Sequence, residues 1–281
     1  MPQTINTNLN SLNAQRNLST SQSALAISMQ RLSSGMRVNS AKDDAAGLAI
    51  AERMQSQVRG MNVAIRNAND GISMSQTAEG AMGKVADSLQ RMRELAVQSA
   101  NGTNSDSDKD SLDLEFAELG KEIQRVLGGT SFNGKAILGA DAGDFKIQVG
   151  ANTTTDDSIT VTTTNLTTNA DIVAVTTGTE NSIGSAVADV DPVILALDTA
   201  ISTISAQRAT MGAVQSRFDS VIGNLQISVE NQSAARSRIM DTDFASETAN
   251  LSRAQILQQA GNAMVAQANQ LPQQVMALLR G

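Results

Sequence analysis

A chemical reading of this sequence has to begin at Asp106–Glu115, DSDKDSLDLE, where side chains able to do chemistry are most concentrated. Carboxylates at the alternating positions Asp106, Asp108 and Asp110 would open an oxygen cage for a hard cation such as calcium. That cage also needs a glycine at the sixth loop position, for the sharp turn, and a bidentate glutamate at the twelfth. Ser111 and Ala117 stand there instead. The same residues read equally as a solvated loop leading into an acidic helix start, where carboxylates complement the unpaired N–H groups of the first turn. The expectation is no metal and no cofactor.

Composition narrows the chemistry further. The 281 residues include no Cys and no His. The thiol nucleophile, the usual acid/base near neutral pH and the common zinc ligands are therefore missing, and no enzyme is expected. A net charge of −7 and a pI near 4.7 leave no basic face for nucleic acid. Residues 254–279 are uncharged and long enough to span a bilayer, but nine Gln and Asn side chains argue against insertion. The first residues show neither a basic n-region nor an apolar h-region, so no cleavable signal peptide is expected.

With aromatic residues at only 2%, packing falls to Leu, Ile, Val, Met and Ala, which suits long helical seams. Near the N-terminus Leu18, Leu25 and Leu32 recur every seventh residue, with Met29 and Met36 between the later ones. At the other end Met264, Ala268, Leu271, Val275 and Leu278 fall on one helical face, and the opposite face carries no charge. These two segments, of which the first carries Arg16 as the only charge in residues 1–30, are natural mates. Their remaining polar, uncharged surface suits burial among further copies of the chain, so a homo-oligomeric assembly is expected.

Between the ends, Ser33, Ser34 and Gly35 break the first helix, and Ser40 with Asp43 reads as the cap of the next. A heptad run follows through Met54, Val58, Met61, Ile65, Ala68 and Ile72, resuming at Met82, Val85, Leu89 and Met92 across Gly71, Ser75 and Gly80. A third helix carries Leu112, Phe116, Leu119, Ile123 and Val126 and stops at Gly128 and Gly129. Asn133-Gly134 signals a hairpin turn, and Phe145, Ile147 and Val149 alternate with polar residues, as do Ile159 and Val161. Residues 165–188 read as a loop-rich excursion with a strand at Ile172–Val175. Asp191-Pro192 then starts a lattice running from Leu197 to Ile239, and Thr242 or Asp243 caps the terminal helix. The fold class is mainly α, with long antiparallel, coiled-coil-like helices formed by the N- and C-terminal segments and a small β-hairpin region mid-chain.

Four stretches, RLSSGMRVNSAKDDAAGLAIAERM, LQRMRELAVQSANGTNS, TSFNGKAILGADAGDFKIQVGA and DTDFASETANLSRAQILQQAGNAMVAQANQLPQQVMALLRG, resemble bacterial flagellin closely. The resemblance covers about residues 1–150 and 191–281. It implies a structural subunit that self-assembles into the helical filament of the bacterial flagellum for swimming. Residues 1–40 and 241–281 would be inner-tube helix segments, 41–164 and 191–240 the two parts of an outer-tube rod domain, and 165–190 a short variable surface insert. The alternative is a hook-filament junction protein, whose termini are similar. The protease that some flagellins carry in their insert needs HExxH, which a chain without His cannot supply.

The same resemblance assigns residues. Arg91, Leu95 and Glu115 match the contact for a host Toll-like receptor. Leu271, Val275, Leu278, Leu279 and Arg280 match the terminal segment that packs in the inner tube and is read by cytosolic sensors. Leu18, Leu25, Met29 and Leu32 would form the N-terminal inner-tube seam. Implied partners are many copies of the chain, the flagellar cap and junction proteins, and an export chaperone on the C-terminal segment. Export would proceed without a cleavable signal peptide, to the extracellular filament.

Overall fold

The computed structural model describes residues 7–187 and 189–280, with side chains up to residue 270. The elements are α1 (Leu9–Ser34), α2 (Ala45–Ser99), α3 (Asp106–Gly129), β1 (Ser131–Phe132), β2 (Lys135–Ala136), β3 (Asp144–Gln148), β4 (Ser158–Thr162), α4 (Ala170–Thr176), α5 (Asp191–Met240) and α6 (Phe244–Arg280). Two compact units result. One gathers residues 1–56 and 231–281; the other spans 57–230.

Helix ends sit where local chemistry puts them. The Asn8 side chain accepts from Ser11 N–H at 3.1 Å to open α1, and Gly35, at φ 70°, closes it in the left-handed conformation. The Ser40–Asp43 pair caps no helix: Asp43 Oδ2 accepts from the N–H and hydroxyl of Ser40, closing a turn ahead of α2. Asp44 caps α2 instead, accepting from Gly47 N–H at 2.8 Å. A Cβ on Gly47 would stand 2.3 Å from the Asp44 carboxylate as it is now placed, so a side chain there would make the cap shift. Ser105 and Asp108 form the reciprocal capping box of α3, and Asp243 accepts from Ala245 N–H to open α6.

In the 57–230 unit, α2 and α5 place Met82, Leu89, Met92, Leu197, Ile204, Met211 and Phe218 in one core with Phe116, Ile123 and Leu127 of α3. The small residues that interrupt the α2 heptads do not interrupt the helix. Gly71 receives the Phe218 ring, which a Cβ there would meet at 2.7 Å. Ser75, fully buried, returns its hydroxyl to Gly71 C=O at 2.9 Å.

Asn133 and Gly134, at φ 48° and 79°, turn β1 into β2 as the Asn-Gly signal predicts. Strands β3 and β4 pair antiparallel, Phe145 opposite Val161 and Ile147 opposite Ile159.

Residues 165–188 depart from the expectation. The strand predicted at Ile172–Val175 is a helical turn, α4, capped by Asn169, whose side chain accepts from Asp171 N–H at 3.0 Å. Three β-branched residues among the four of Ile172–Val175 suggested a strand. Burial decided otherwise, because Ile172 and Val175, three apart, share the helical face that enters the core. Nor is this segment a loose surface excursion: Leu166 and Ile183 are fully buried. The chain after α4 is strapped to α3, with Ile183 N–H donating to Asp113 at 2.6 Å and Ser185 N–H to Asp110 at 2.9 Å. Ser99 Oγ donates to Ile183 C=O at 2.5 Å.

Gly71→Ala and Gly80→Ala should shift monomer stability in opposite directions. Gly80 has open space around its Cβ, so alanine there gains about 0.5–1 kcal/mol of helix propensity. At Gly71 that gain meets an overpacking cost of about 1–3 kcal/mol against Phe218. Thermal unfolding checks both signs, and a raised midpoint for Gly71→Ala contradicts the tight contact.

The strap should weaken in acid. The Ser185 hydrogen bond holds the Asp110 carboxyl below its usual pKa. A depressed folded pKa gives stabilisation that is present above the unfolded value and lost as pH falls through the folded one. Limited proteolysis within 177–187 should therefore accelerate about tenfold below about pH 4, and at neutral pH in Asp110→Ala/Asp113→Ala. Equal cleavage of variant and parent at neutral pH counts against the strap.

Candidate functional site

Two of the three carboxylates that could have opened a cation cage, Asp108 and Asp110, accept hydrogen bonds from the chain itself. Asp108 belongs to the capping box, while Asp110 and Asp113 hold the strap. Among the described residues no group of three or more acidic side chains could hold a metal, and no helix is long and apolar enough to cross a membrane. What remains are surfaces.

The first is built by α1 and α6, which pair antiparallel. Their inward residues follow a four-three spacing: Ser11, Ala14, Leu18, Ser21, Leu25, Ser28 and Leu32 on α1, and Glu247, Leu251, Ala254, Gln258, Gly261, Val265 and Ala268 on α6. The Asn8 amide donates to Ala268 C=O at 2.7 Å, and Ser11 Oγ to Asn269 Oδ1 at 2.7 Å. Leu18 sits over Gly261, where a Cβ would approach its Cδ1 to 3.1 Å. Farther along, Ser28 Oγ donates to Glu247 Oε1 at 2.6 Å, and Arg31 stands 3.7 Å from the same carboxylate.

Two expected seam residues are elsewhere. Met29 is 58% exposed and Met264 62% exposed, so neither enters the α1/α6 contact. The second column of the α1 seam is Ala14, Ser21 and Ser28, not methionine. Sequence reading favoured the bulkier side chains, whereas two helices that approach closely need small ones at the contact. Leu18, Leu25 and Leu32 do face the partner, half-buried, and Ala268 is buried as expected. The side chains of Leu271, Val275, Leu278, Leu279 and Arg280 lie outside the described residues; their backbone continues α6.

Away from this seam both helices present apolar side chains without a partner. Leu9, Leu12, Ile27 and Met29 are exposed on α1, and Phe244, Ile256, Leu257 and Met264 on α6. Large apolar groups gathered this densely on one unit mark an interaction surface.

The second surface surrounds Arg91. Its Nε donates to Glu115 at 2.9 Å and its Nη1 to Glu94 at 3.0 Å, tying α2 to α3. These hydrogen bonds, Glu115 first, raise the guanidinium pKa and keep its charge fixed. Arg91 and Glu115 are half-exposed, but Leu95 is 0% exposed. Four residues along a helix turn the side chain by about 40°. That rotation carries position 95 from the edge occupied by Arg91 into the core. Leu95 is thus seam packing, and the apolar anchor expected between Arg91 and Glu115 is absent. The exposed apolar neighbour in sequence is Leu114, at 72%. It was findable, since it falls outside the Leu112–Phe116–Leu119 lattice of α3.

Comparison with known proteins agrees with this architecture. Residues 5–142 match the bacterial flagellin N-terminal helical region, and residues 194–279 the bacterial flagellin C-terminal helical region. A flagellin from Halalkalibacterium halodurans is 43% identical over 276 residues, covering 98% of this chain and 99% of the relative. A flagellin from Bacillus subtilis strain 168 is 40% identical over 310 residues, with 98% and 99% covered. A Vibrio parahaemolyticus structure described as a flagellar hook-associated protein superposes with a TM-score of 0.58 over 71% of this chain and 100% of the other. At 14% identity that likeness concerns the fold alone. With both terminal helical regions matched and flagellins of near-equal extent aligned from end to end, the chain belongs to the bacterial flagellin family.

Proposed function

We propose that this chain polymerises by burying the unpartnered faces of α1 and α6 between copies. Flagellins are structural subunits of the extracellular flagellar filament, and the family places this chain among them. The observation that carries the mode of assembly is the set of large apolar residues exposed on both terminal helices. Burying one Leu, Ile or Met side chain contributes about 1.5–3 kcal/mol, so a few per subunit suffice to hold a repeating contact. The uncharged character of residues 254–279 supports the same reading, since nothing there has to be desolvated as an ion. In this reading residues 1–40 and 241–281 are the inner-tube segments of an exported subunit. Cap and junction proteins would adjoin its ends in the filament, and a chaperone would cover the C-terminal segment before export.

Deletion of Gln270–Gly281 tests this. It removes Leu271, Val275, Leu278 and Leu279 and leaves every core residue of the 57–230 unit in place. Electron microscopy of the purified protein should show filaments for the full chain and none for the truncated one, with the thermal unfolding of the 57–230 unit retained. Filaments of parental length and yield from the truncated chain would falsify the proposal. A hook-filament junction protein, the competing role, would form no extended filament even at full length.

A second role rests on the Arg91 surface. The exposed Arg91–Glu115 pair, with Leu114 adjacent in sequence, supports contact with a host Toll-like receptor; Leu95 contributes by holding α2 in place. Arg91→Asp sets three carboxylates side by side and should lower receptor activation about a hundredfold, the scale set by losing one central Arg anchor. Swimming should suffer too if the surface also packs between subunits. A variant that stops signalling yet swims normally separates the two surfaces, and one that signals normally removes the receptor role from Arg91.

A further inference from the structure

The α1/α6 seam repeats itself, and repetition leaves its register undetermined. The heptad column of α6 at 254, 261 and 268 reads Ala, Gly, Ala, and the facing column of α1 at 18, 25 and 32 reads Leu, Leu, Leu. Sliding one helix by seven residues would set leucines against small residues again. Apolar packing alone distinguishes such alignments weakly, and coiled coils fix alignment by a single buried polar contact.

Ser11 and Asn269 hydrogen-bond across the seam near one end, and a second buried polar contact, toward the other end, carries a charge. Glu247, 6% exposed, is the charged residue buried in this seam; it accepts from Ser28 Oγ at 2.6 Å and faces Arg31 at 3.7 Å. The geometry points to Ser28, Arg31 and Glu247 as the lock that sets the register of the α1/α6 pair, and so fixes which faces of the two helices are offered to other copies. The asymmetry of the lock is in the sequence. A slide of one heptad that moves Glu247 from Ser28 to Ser21 keeps a hydroxyl partner, but the residue replacing Arg31 is Ala24. The carboxylate would then be buried with no cation beside it, at a cost that its present position avoids. A slide the other way carries Glu247 past the end of α1 at Ser34. Gly261 adds a weaker preference, because the slide toward Ser21 would put the Cβ of Ala254 where Leu18 now has 3.1 Å of clearance to a hypothetical one.

A competing source of register is the clasp between the two interhelical linkers, where Arg37 N–H donates to Met240 C=O at 2.6 Å and Thr242 N–H to Gly35 C=O at 3.0 Å. Cysteine pairs in the full chain, which has no cysteine of its own, separate the two. Ser11→Cys with Asn269→Cys reports the observed register, and Ser11→Cys with Asn262→Cys reports the slide of one heptad. With Glu247 in place, and with the Ser11–Asn269 hydrogen bond removed by the reporter cysteines themselves, copper-phenanthroline oxidation should favour the first pair by about tenfold or more, the discrimination expected of a buried polar contact. Glu247→Ala should bring the two yields to within about threefold of each other, and Glu247→Gln, which keeps an acceptor for Ser28, should fall between. An unchanged ratio in Glu247→Ala assigns the register to the linker clasp and overturns the proposal. A parallel fall in both yields overturns it as well, since Glu247 would then be holding the helices together without selecting their alignment.

Discussion

A helix with one apolar stripe can satisfy one side of itself, and most of this fold follows from that limit. With five Phe and no Trp or Tyr, the chain cannot gather a thick core around large rings. It builds a long seam instead, and each seam needs a second helix of comparable length. In the 57–230 unit α2 and α5 supply one another's stripe, and α3, the hairpins and α4 close the rest. The terminal unit holds a small cluster of Val38, Ala51 and Met240 beside the α1/α6 pair. There α1 and α6 cover only their inner stripes, and their outer stripes stay apolar and unpaired. In the mode of assembly proposed above, copies of the chain complete this burial, and the site and the unfinished part of the core are the same surface.

The long elements were legible because their signals are redundant. Apolar helical spacing agrees with local punctuation: Gly35 closes α1, Asp191-Pro192 opens α5, Asp243 opens α6, and the Asn133-Gly134 turn carries its own backbone requirement. Where a single residue type served two purposes, sequence reading chose the commoner one. Gly71 and Ser75 were read as weak points in α2 and are points of contact, one receiving Phe218 and the other bonded back to the helix. Ile172–Val175 has strand-like composition, yet too few residues to set its own structure, and tertiary burial settled it as α4. Met29 and Met264 illustrate the same limit for the site. Apolar character was visible, but which of two adjacent stripes meets the neighbouring helix depends on how closely the backbones approach, and the serines, alanines and glycine at the contact decide that.

The acidic residues show how this fold uses its charge. Asp44, Asp108 and Asp243 accept backbone N–H groups at or near helix starts, where the aligned peptide dipoles favour negative charge. Asp110 and Asp113 do the same for a loop crossing from α4 toward α5. A spacing that suggests a cation loop is therefore answered by N–H donors from the chain itself. The exposed pairs Arg91–Glu115 and Arg93–Asp198 bridge elements at 2.9 and 2.6 Å. Exposed pairs of this kind are screened by solvent and add little to stability, which makes them better suited to orienting a surface than to holding the core.

Glu247 stands apart from those carboxylates because it is buried where every neighbouring seam position is neutral. A buried ion pair is a poor source of stability compared with apolar packing of the same volume, so its presence in a seam of leucine and alanine calls for another reason. The reason lies in what the outer stripes must do. Copies can repeat a contact only if Ile256, Leu257 and Met264 keep a fixed relation to Leu12, Ile27 and Met29, and that relation is set by the longitudinal alignment of α1 and α6. Leucine on alanine tolerates several alignments; a carboxylate with one serine and one arginine tolerates one. The polar contact therefore sits in the inner seam, while the residues that benefit from it lie on the faces turned away from it.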